Sequence, residues 1–455
     1  MTNMTRPGRP RSADLIVLGA EVALLAVAVA VGALLNHQGV RLHADAAPLY
    51  ASWQPHLGPG TPAALLVAAL IVWRGTRWAI DTSWPRLLAV GYLASLLWTL
   101  SLALVDGWSA GLTERLTVQA EYLHEVPRVT DVGIMLSGYA DRILDFQPDS
   151  WSTHAAAHPP GALLFFVWLE RVGLGGGTAA GLACVLLGAT VSVSVPVTLR
   201  ALGAEGAARA VWPFLVIFPG AVWVGASADG IFAAVVAAGL ALLAVGGRPG
   251  VALGGLLLGF ALYLSYGFVL VGLLALAVVL LRARDRLGVL LVAATAVAAV
   301  VAVFTLAGFW WLDGYHLVAR RYYQGWAAER PYGYWVWANL AALLLSAGPV
   351  VGPALRRAVV AAASVRAPRP PLGRALRQRI ASAGPTVWLP VAATAAVLAA
   401  DLSGLSKAEV ERIWLPFAVW LLVATAHLPL AHRRWWLATQ AATALAVNHL
   451  LWTVS

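Results

Sequence analysis

The stretch Leu287–Gly308 reads LGVLLVAATAVAAVVAVFTLAG and carries no charged residue. As a helix rising roughly 1.5 Å per residue it is about 33 Å long, enough to cross the hydrocarbon core of a bilayer. Arginines precede it (Arg282, Arg284, Arg286) and tryptophans follow it (Trp310, Trp311). The same pattern recurs along the chain. Of 455 residues, 60% are hydrophobic and only 11% charged, with a mean hydropathy of +0.77. A soluble domain carries about 25% charge and needs that polar skin. A soluble enzyme, a nucleic-acid binder and a disordered chain are therefore excluded, and the sequence reads as a polytopic membrane protein.

Thirteen apolar segments are predicted as spans. They are 15–35, 60–73, 87–105, 178–199, 211–226, 230–245, 251–264, 267–281, 287–308, 334–355, 386–400, 413–431 and 435–454. The first is too long for a signal-peptide core and is read as a retained span. The fold class expected is all-α, a single integral membrane bundle of about 11–13 spans over residues 1–455.

The basic residues orient it. The net charge is +10, and of the 31 basic residues only Lys407 is lysine. With an intracellular N-terminus, the inner segments hold 21 of them and only four acids, as the positive-inside rule requires. They include an Arg-rich loop, 356–385, read as facing anionic lipid. The long outer loop 106–177 exceeds what a connector needs, and such loops carry function. It is expected to hold two amphipathic interfacial helices, Thr113–His124 and Asp131–Phe146. The arginine-over-lysine bias with abundant Ala, Gly, Val and Leu fits a high-GC bacterial genome such as an actinobacterium's. The single Cys184 excludes an intrachain disulfide. The bilayer is a partner; nucleic acid is not.

Polar residues collect at the outer span ends. Asp106 directly follows the third span, as an acid half withdrawn from water and able to accept a proton, or else as an ordinary interface marker. His154 and His158 are four apart, as a metal pair on one helix face would be. Pro159 and Pro160 follow at once, however, so a helix more naturally begins at Pro160 and turns backbone N–H groups and imidazoles toward an anion. No third ligand stands at a recognisable spacing, and neither metal nor cofactor is expected. Arg320, Arg321 and Tyr323, and later Lys407, Glu409 and Arg412, bring cations and tyrosine to the same face. That combination suits a lipid phosphate, since arginine binds phosphate through two parallel bonds. It also suits a membrane-surface anchor. Tyr266 falls in an outer turn, Ser265-Tyr266-Gly267.

From about Leu87 through Asp229 the chain resembles the membrane-embedded glycosyltransferases of the C-type fold (GT-C). Carrying the likeness are the acid after a span, the long outer loop, His158-Pro159-Pro160 opening an apolar helix, and Pro219 followed by Ser227-Ala228-Asp229. The late Glu411-Arg412…Pro416 segment looks like the lipid-phosphate contact of these transferases. More narrowly, the chain is similar to actinobacterial envelope mannosyltransferases and methylthioxylose transferases. Where that class often has a second acid beside the first, this chain has Gly107. The resemblance implies inverting transfer of a mannose or pentose-type sugar from a polyprenyl-phosphate donor to an envelope glycan or glycolipid. The site would be extracytoplasmic on the plasma membrane, with Asp106 as base. His154, His158, Pro159, Asp229, Tyr266 and Glu409 would bind substrate, and Arg320, Arg321, Tyr323, Lys407 and Arg412 the donor phosphate. Glu114 and Asp229 remain rival bases. A lipid or sugar transporter or flippase is the alternative, with Glu21 inside the first span as its proton site.

Overall fold

The computed structural model describes residues 12–282, 285–364 and 383–453. Arg6, Arg9, Arg11 and Arg284, and most of the Arg-rich loop, lie outside the described residues. The described chain is almost wholly helical. Six helices are long and apolar enough to cross a membrane: α1 (Ser12–His37), α2 (Thr61–Asp81), α3 (Trp84–Asp106), α5 (Gly176–Ala201), α10 (Arg286–Leu306) and α14 (Pro385–Leu402). A seventh is the pair α12 (Tyr332–Ala347) and α13 (Val351–Ser364), if the two are counted together across a 95° bend. Four further apolar helices are shorter: α7 (Asp229–Val245), α8 (Arg248–Ala261), α9 (Tyr266–Leu281) and α15 (Leu415–His427). Between them stand α4 (Pro160–Arg171), α6 (Glu205–Val216), α11 (Trp311–Tyr322) and α16 (Leu430–Leu450).

Several expected segments change outline for identifiable reasons. The expected span 60–73 runs on to Asp81 through a wide turn at Ile71–Gly75. The segment 211–226 starts earlier, at Glu205, and breaks after Val216 just before Pro219; a separate turn, Ala221–Val224, follows. Residues 334–355 break at Gly348, whose φ of +93° ends the helix. The all-α expectation also misses one small sheet. Ala51–Trp53 (β1) pairs antiparallel with Leu451–Thr453 (β2), joining the first connector to the last residues described.

The connectors sort to two ends of the bundle. At one end, Asp14 is fully buried on α1 and takes Arg357 at 2.6 Å and Arg356 at 3.2 Å from α13. Arg209 donates to the Ala79 and Thr82 carbonyls, and Arg282 to those of Ala244 and Gly246. All of these were expected as inner residues. Glu21 accepts the Gly352 N–H at 2.8 Å, so the acid a transport reading leans on holds the start of α13.

At the other end the outer loops meet. The long loop is not a pair of interfacial helices. Thr113–His124 is mostly turns, and Asp131–Phe146 contains only the helix Val132–Ser137 and a single turn at Ala140–Arg142. Leu116 is fully buried there, as are Glu121 and Glu125 nearly so. Acids so withdrawn from water must be bonded, and their bonds fold the loop into the protein instead of onto the lipid.

Glycines fix how the first connector meets α3. A Cβ on Gly60 would lie 2.0 Å from the Ser101 carbonyl oxygen and 2.7 Å from the Val105 nitrogen. Backbone cannot yield as a side-chain tip can, so Gly60→Ala is expected to cost about 1–3 kcal/mol. A melting curve of the detergent-solubilised variant should shift down; an unchanged curve would show the approach to be looser than described.

Candidate functional site

The centre of the outer end is Arg412, with 6% of its surface exposed. It lies on the single turn Val410–Ile413 that leads into α15. Its Nη1 donates to Asp229 Oδ2 at 3.0 Å, and its Nη2 to Glu409 Oε2 at 2.6 Å and to His154 Nε2 at 3.2 Å. Since His154 Nε2 accepts, its Nδ1–H is the one that meets Glu121 Oε1, at 2.7 Å. Burial disfavours the charge on Arg412, but Glu409, Asp229 and Glu121 outweigh it and hold the guanidinium above its usual range. Burial likewise opposes charge on Glu409, yet Arg412 and Arg330 bring its carboxyl down to about 2. Glu411, fully buried beside them, is pushed up by burial to about 7.

Each partner is placed by its own segment. Asp229 is the first residue of α7, where an acid is favoured by the helix dipole, and its N–H donates to Ser227 Oγ. His154 is held by its N–H to the Ala120 carbonyl, which sets it beside Glu121. Behind it, the Arg142 guanidinium covers Trp151 at 3.3 Å, and Tyr139 Oη donates to the Ala155 carbonyl. Ala408 and Glu409 both adopt left-handed backbone, with φ of 72° and 61°. That conformation is costly for residues with a Cβ. Asn339 of α12 props it, donating to Asp401 and the Ser406 carbonyl and accepting the Ala408 N–H.

A second guanidinium joins from the loop before α12. Arg330 is 5% exposed. It donates to Glu409 Oε1 at 3.5 Å and to the carbonyls of Lys407, Leu42 and His43. Glu409 thus lies between two buried arginines. Tyr50 borders them: its ring centre is 5.8 Å from the Arg330 guanidinium and its N–H faces Glu411. Burial first, then Glu409 and more weakly Asp45, raise the Tyr50 phenol above its usual range against the pull of Arg330 and Arg412. Asp45 is exposed, and among the described residues it has no ion pair.

His158 ends the helix Thr153–Ala157 in extended backbone, and α4 begins at Pro160 as the sequence predicts. Its Nδ1–H donates to the Leu264 carbonyl at 2.8 Å, which leaves Nε2 as an acceptor. Burial lowers its pKa to about 4, so the ring is neutral. The two histidines do not form a metal pair: each borders Tyr122, at 6.1 and 5.9 Å, and has its own hydrogen bonds. Among the described residues no group of three or more metal-ligating side chains converges. Nor is the first turn of α4 open to an anion, because Gly161 and the N-cap Pro159 are buried and Gly161 lies against the Tyr263 backbone.

The remaining expected site residues go elsewhere. Both Asp106 oxygens are taken, one by His56 Nε2 and one by Arg115 Nη2, each at 2.7 Å. Arg115 also donates to the Thr453 carbonyl, so Asp106 ties α3 to the β1–β2 junction with a hydrogen bond on each oxygen. Arg321 pairs with Asp145 and donates to the Ile143 and Trp151 carbonyls, bracing the long loop. Arg320 is exposed on α11. Lys407 donates to the Ala327 carbonyl with its ammonium over Tyr323, whose hydroxyl donates to the Gly404 carbonyl. Tyr266 packs against Trp311 and Tyr315. The sequence reads Arg330 only as one of several outer cations and Glu121 only as a solvated charge of the long loop, and it gives no prominence to Tyr50 or Asp45. An acid eight residues beyond the end of α1, in Leu42-His43-Ala44-Asp45, was the available signal for the last.

No protein family, curated protein or solved structure matches the chain.

Removing Arg412 would leave Asp229 and Glu409 as buried charges without their partner, at about 3–5 kcal/mol. Arg412→Gln should therefore melt well below wild type, and Arg412→Gln with Asp229→Asn should recover part of the loss. Equal melting of wild type and Arg412→Gln would refute the buried cluster. The depressed His158 makes a separate pH prediction. The stability it contributes is present above its ordinary 6.5 and is lost as pH falls toward about 4, because the unfolded chain takes the proton first. Melting followed across that window should show a steeper decline in wild type than in His158→Gln.

Proposed function

We propose that the protein is a membrane glycosyltransferase that moves a sugar from a polyprenyl-phosphate donor to a hydroxyl of an envelope glycan or glycolipid. The observation that carries this reading is Glu409 clasped between two buried guanidinium groups, Arg412 and Arg330. An internal carboxylate occupies the place that a donor phosphate would take, and planar forks of this kind match phosphate oxygens two at a time. The donor's tail would run between helices.

In the reaction, the acceptor oxygen attacks the anomeric carbon as its proton passes to a carboxylate. The bond from that carbon to the phosphate oxygen breaks, and the lipid phosphate leaves with the electron pair. Arg412 and Arg330 are positioned to stabilise the charge growing on it. His158, neutral and with Nε2 free to accept, would orient a sugar hydroxyl. We assign the base to Asp45, which is exposed and whose charge is felt by Tyr50, the neighbour of Arg330, in preference to Asp106, whose oxygens are both hydrogen-bonded. On this reading the shorter helices also cross the bilayer, the N-terminus is cytoplasmic and the site opens outside the plasma membrane. The segregation of connectors, with most arginines at the end opposite the site, favours that sidedness.

The test is sugar transfer by purified membranes from labelled polyprenyl-phosphate pentoses and hexoses. Asp45→Asn should lower transfer by about 10²–10⁴-fold with donor binding intact, whereas Asp106→Asn should act mainly on stability. Normal transfer by Asp45→Asn would move the base elsewhere. No transfer by wild type from any such donor would abandon the enzyme for the transporter.

A further inference from the structure

One exposed aromatic at the outer end does not have the surroundings of a lipid anchor. Trp326 sits on the turn Trp326–Ala328 after α11 and is 52% exposed. The turn is held from both sides, by Lys407 Nζ donating to the Ala327 carbonyl and by the Arg330 N–H donating to that of Trp326. One face of its indole is covered by the His43 ring, parallel within 2° at a centroid distance of 4.8 Å. The Tyr50 ring meets it edge-on at 6.2 Å. His43 Nε2 in turn meets Glu329 Oε2 at 2.6 Å, and Arg41 Nη1 donates to Glu329 Oε1 at 2.7 Å. Hydrogen bonds from His43 and then Arg41 hold the exposed Glu329 carboxyl below its usual range.

The indole is bordered by an imidazole and a phenol, and behind the imidazole a carboxylate bonded to a guanidinium fixes it in place. A rigid, half-open aromatic face bordered by charged hydrogen-bonding groups matches a saccharide. A sugar ring presents an apolar C–H face to stack on the indole and hydroxyls at its edge for carboxylate and guanidinium. The platform is also connected to the arginine pair. Tyr50 touches both Trp326 and Arg330, and Asp45 lies two residues from His43.

We propose that Trp326, backed by His43 and edged by Tyr50, Glu329 and Arg41, is the platform on which the acceptor saccharide stacks. The word acceptor rests on the transferase reading; saccharide binding itself does not. The exposed Asp45 stands two residues from His43 on the same connector, and Tyr50 joins the platform to Arg330. The position of Trp326 thus determines which hydroxyl of the glycan is offered for attack.

The experiment uses the full-length protein in detergent and two separate probes. The first is a panel of neutral four- to six-unit oligosaccharides built from pentoses or hexoses; the second is undecaprenyl monophosphate alone, followed by native mass spectrometry. Wild type should bind members of the panel, Trp326→Ala about tenfold or more weakly, and Trp326→Phe nearly as well as wild type. Trp326→Ala should bind undecaprenyl monophosphate as wild type does, which also shows that it folds. Unchanged oligosaccharide binding by Trp326→Ala, or no binding of any panel member by wild type, overturns the platform. Oligosaccharide binding that depends on Trp326, with no binding of undecaprenyl monophosphate by wild type, upholds the platform and discards the transferase.

Discussion

A guanidinium withdrawn from water at the end of an apolar helix bundle is stable only if oxygen or nitrogen acceptors surround it, and Arg412 draws its acceptors from two distant parts of the chain and from its own turn. Asp229 comes from the start of α7, His154 with Glu121 behind it from the long loop, and Glu409 from the turn just before. Much of the outer architecture follows from meeting this demand. The long loop packs inward because Glu121 must reach His154. The Ala408–Glu409 backbone is held left-handed because that aims Glu409 at both Arg412 and Arg330. Asn339 then exists at its position to prop that turn.

The opposite end obeys the same rule with different partners. Asp14 is buried and answered by Arg356 and Arg357, and Glu21 receives a backbone N–H from α13. Charge is thus concentrated in two layers separated by an apolar middle. The outer layer holds a carboxylate between two arginines, a neutral histidine with an open acceptor nitrogen, and an aromatic face open to water. The two layers differ in what they leave open: His158 keeps an acceptor nitrogen and Trp326 an exposed face at the Arg412 end.

The sequence alone determined the helical membrane architecture, because uncharged runs such as Leu287–Gly308 have few other stable solutions in water or lipid. Arginine placement also sorts the connectors into an expected inner set and an expected outer set. Within the site, the sequence picked out His154, Asp229, Glu409 and Arg412, each unusual beside an apolar helix, and Arg412 proves to bond the other three. Only the tertiary structure decided the rest. Asp106 looked like the open acid because nothing nearby in sequence neutralises it except Arg115; His56 reaches it across the Gly58–Gly60 approach, 50 positions away. Arg321 and Lys407 looked like phosphate ligands, but Arg321 is bonded to Asp145 and two backbone carbonyls and Lys407 to a backbone carbonyl. Arg330 and Trp326 look alike, in sequence, to many arginines and tryptophans at span ends. Their distinction lies in partners some 280 residues distant, Leu42 and His43. Composition and periodicity report what a residue needs from its surroundings, whereas the partner that satisfies a buried charge is set by long-range packing, which local sequence does not encode.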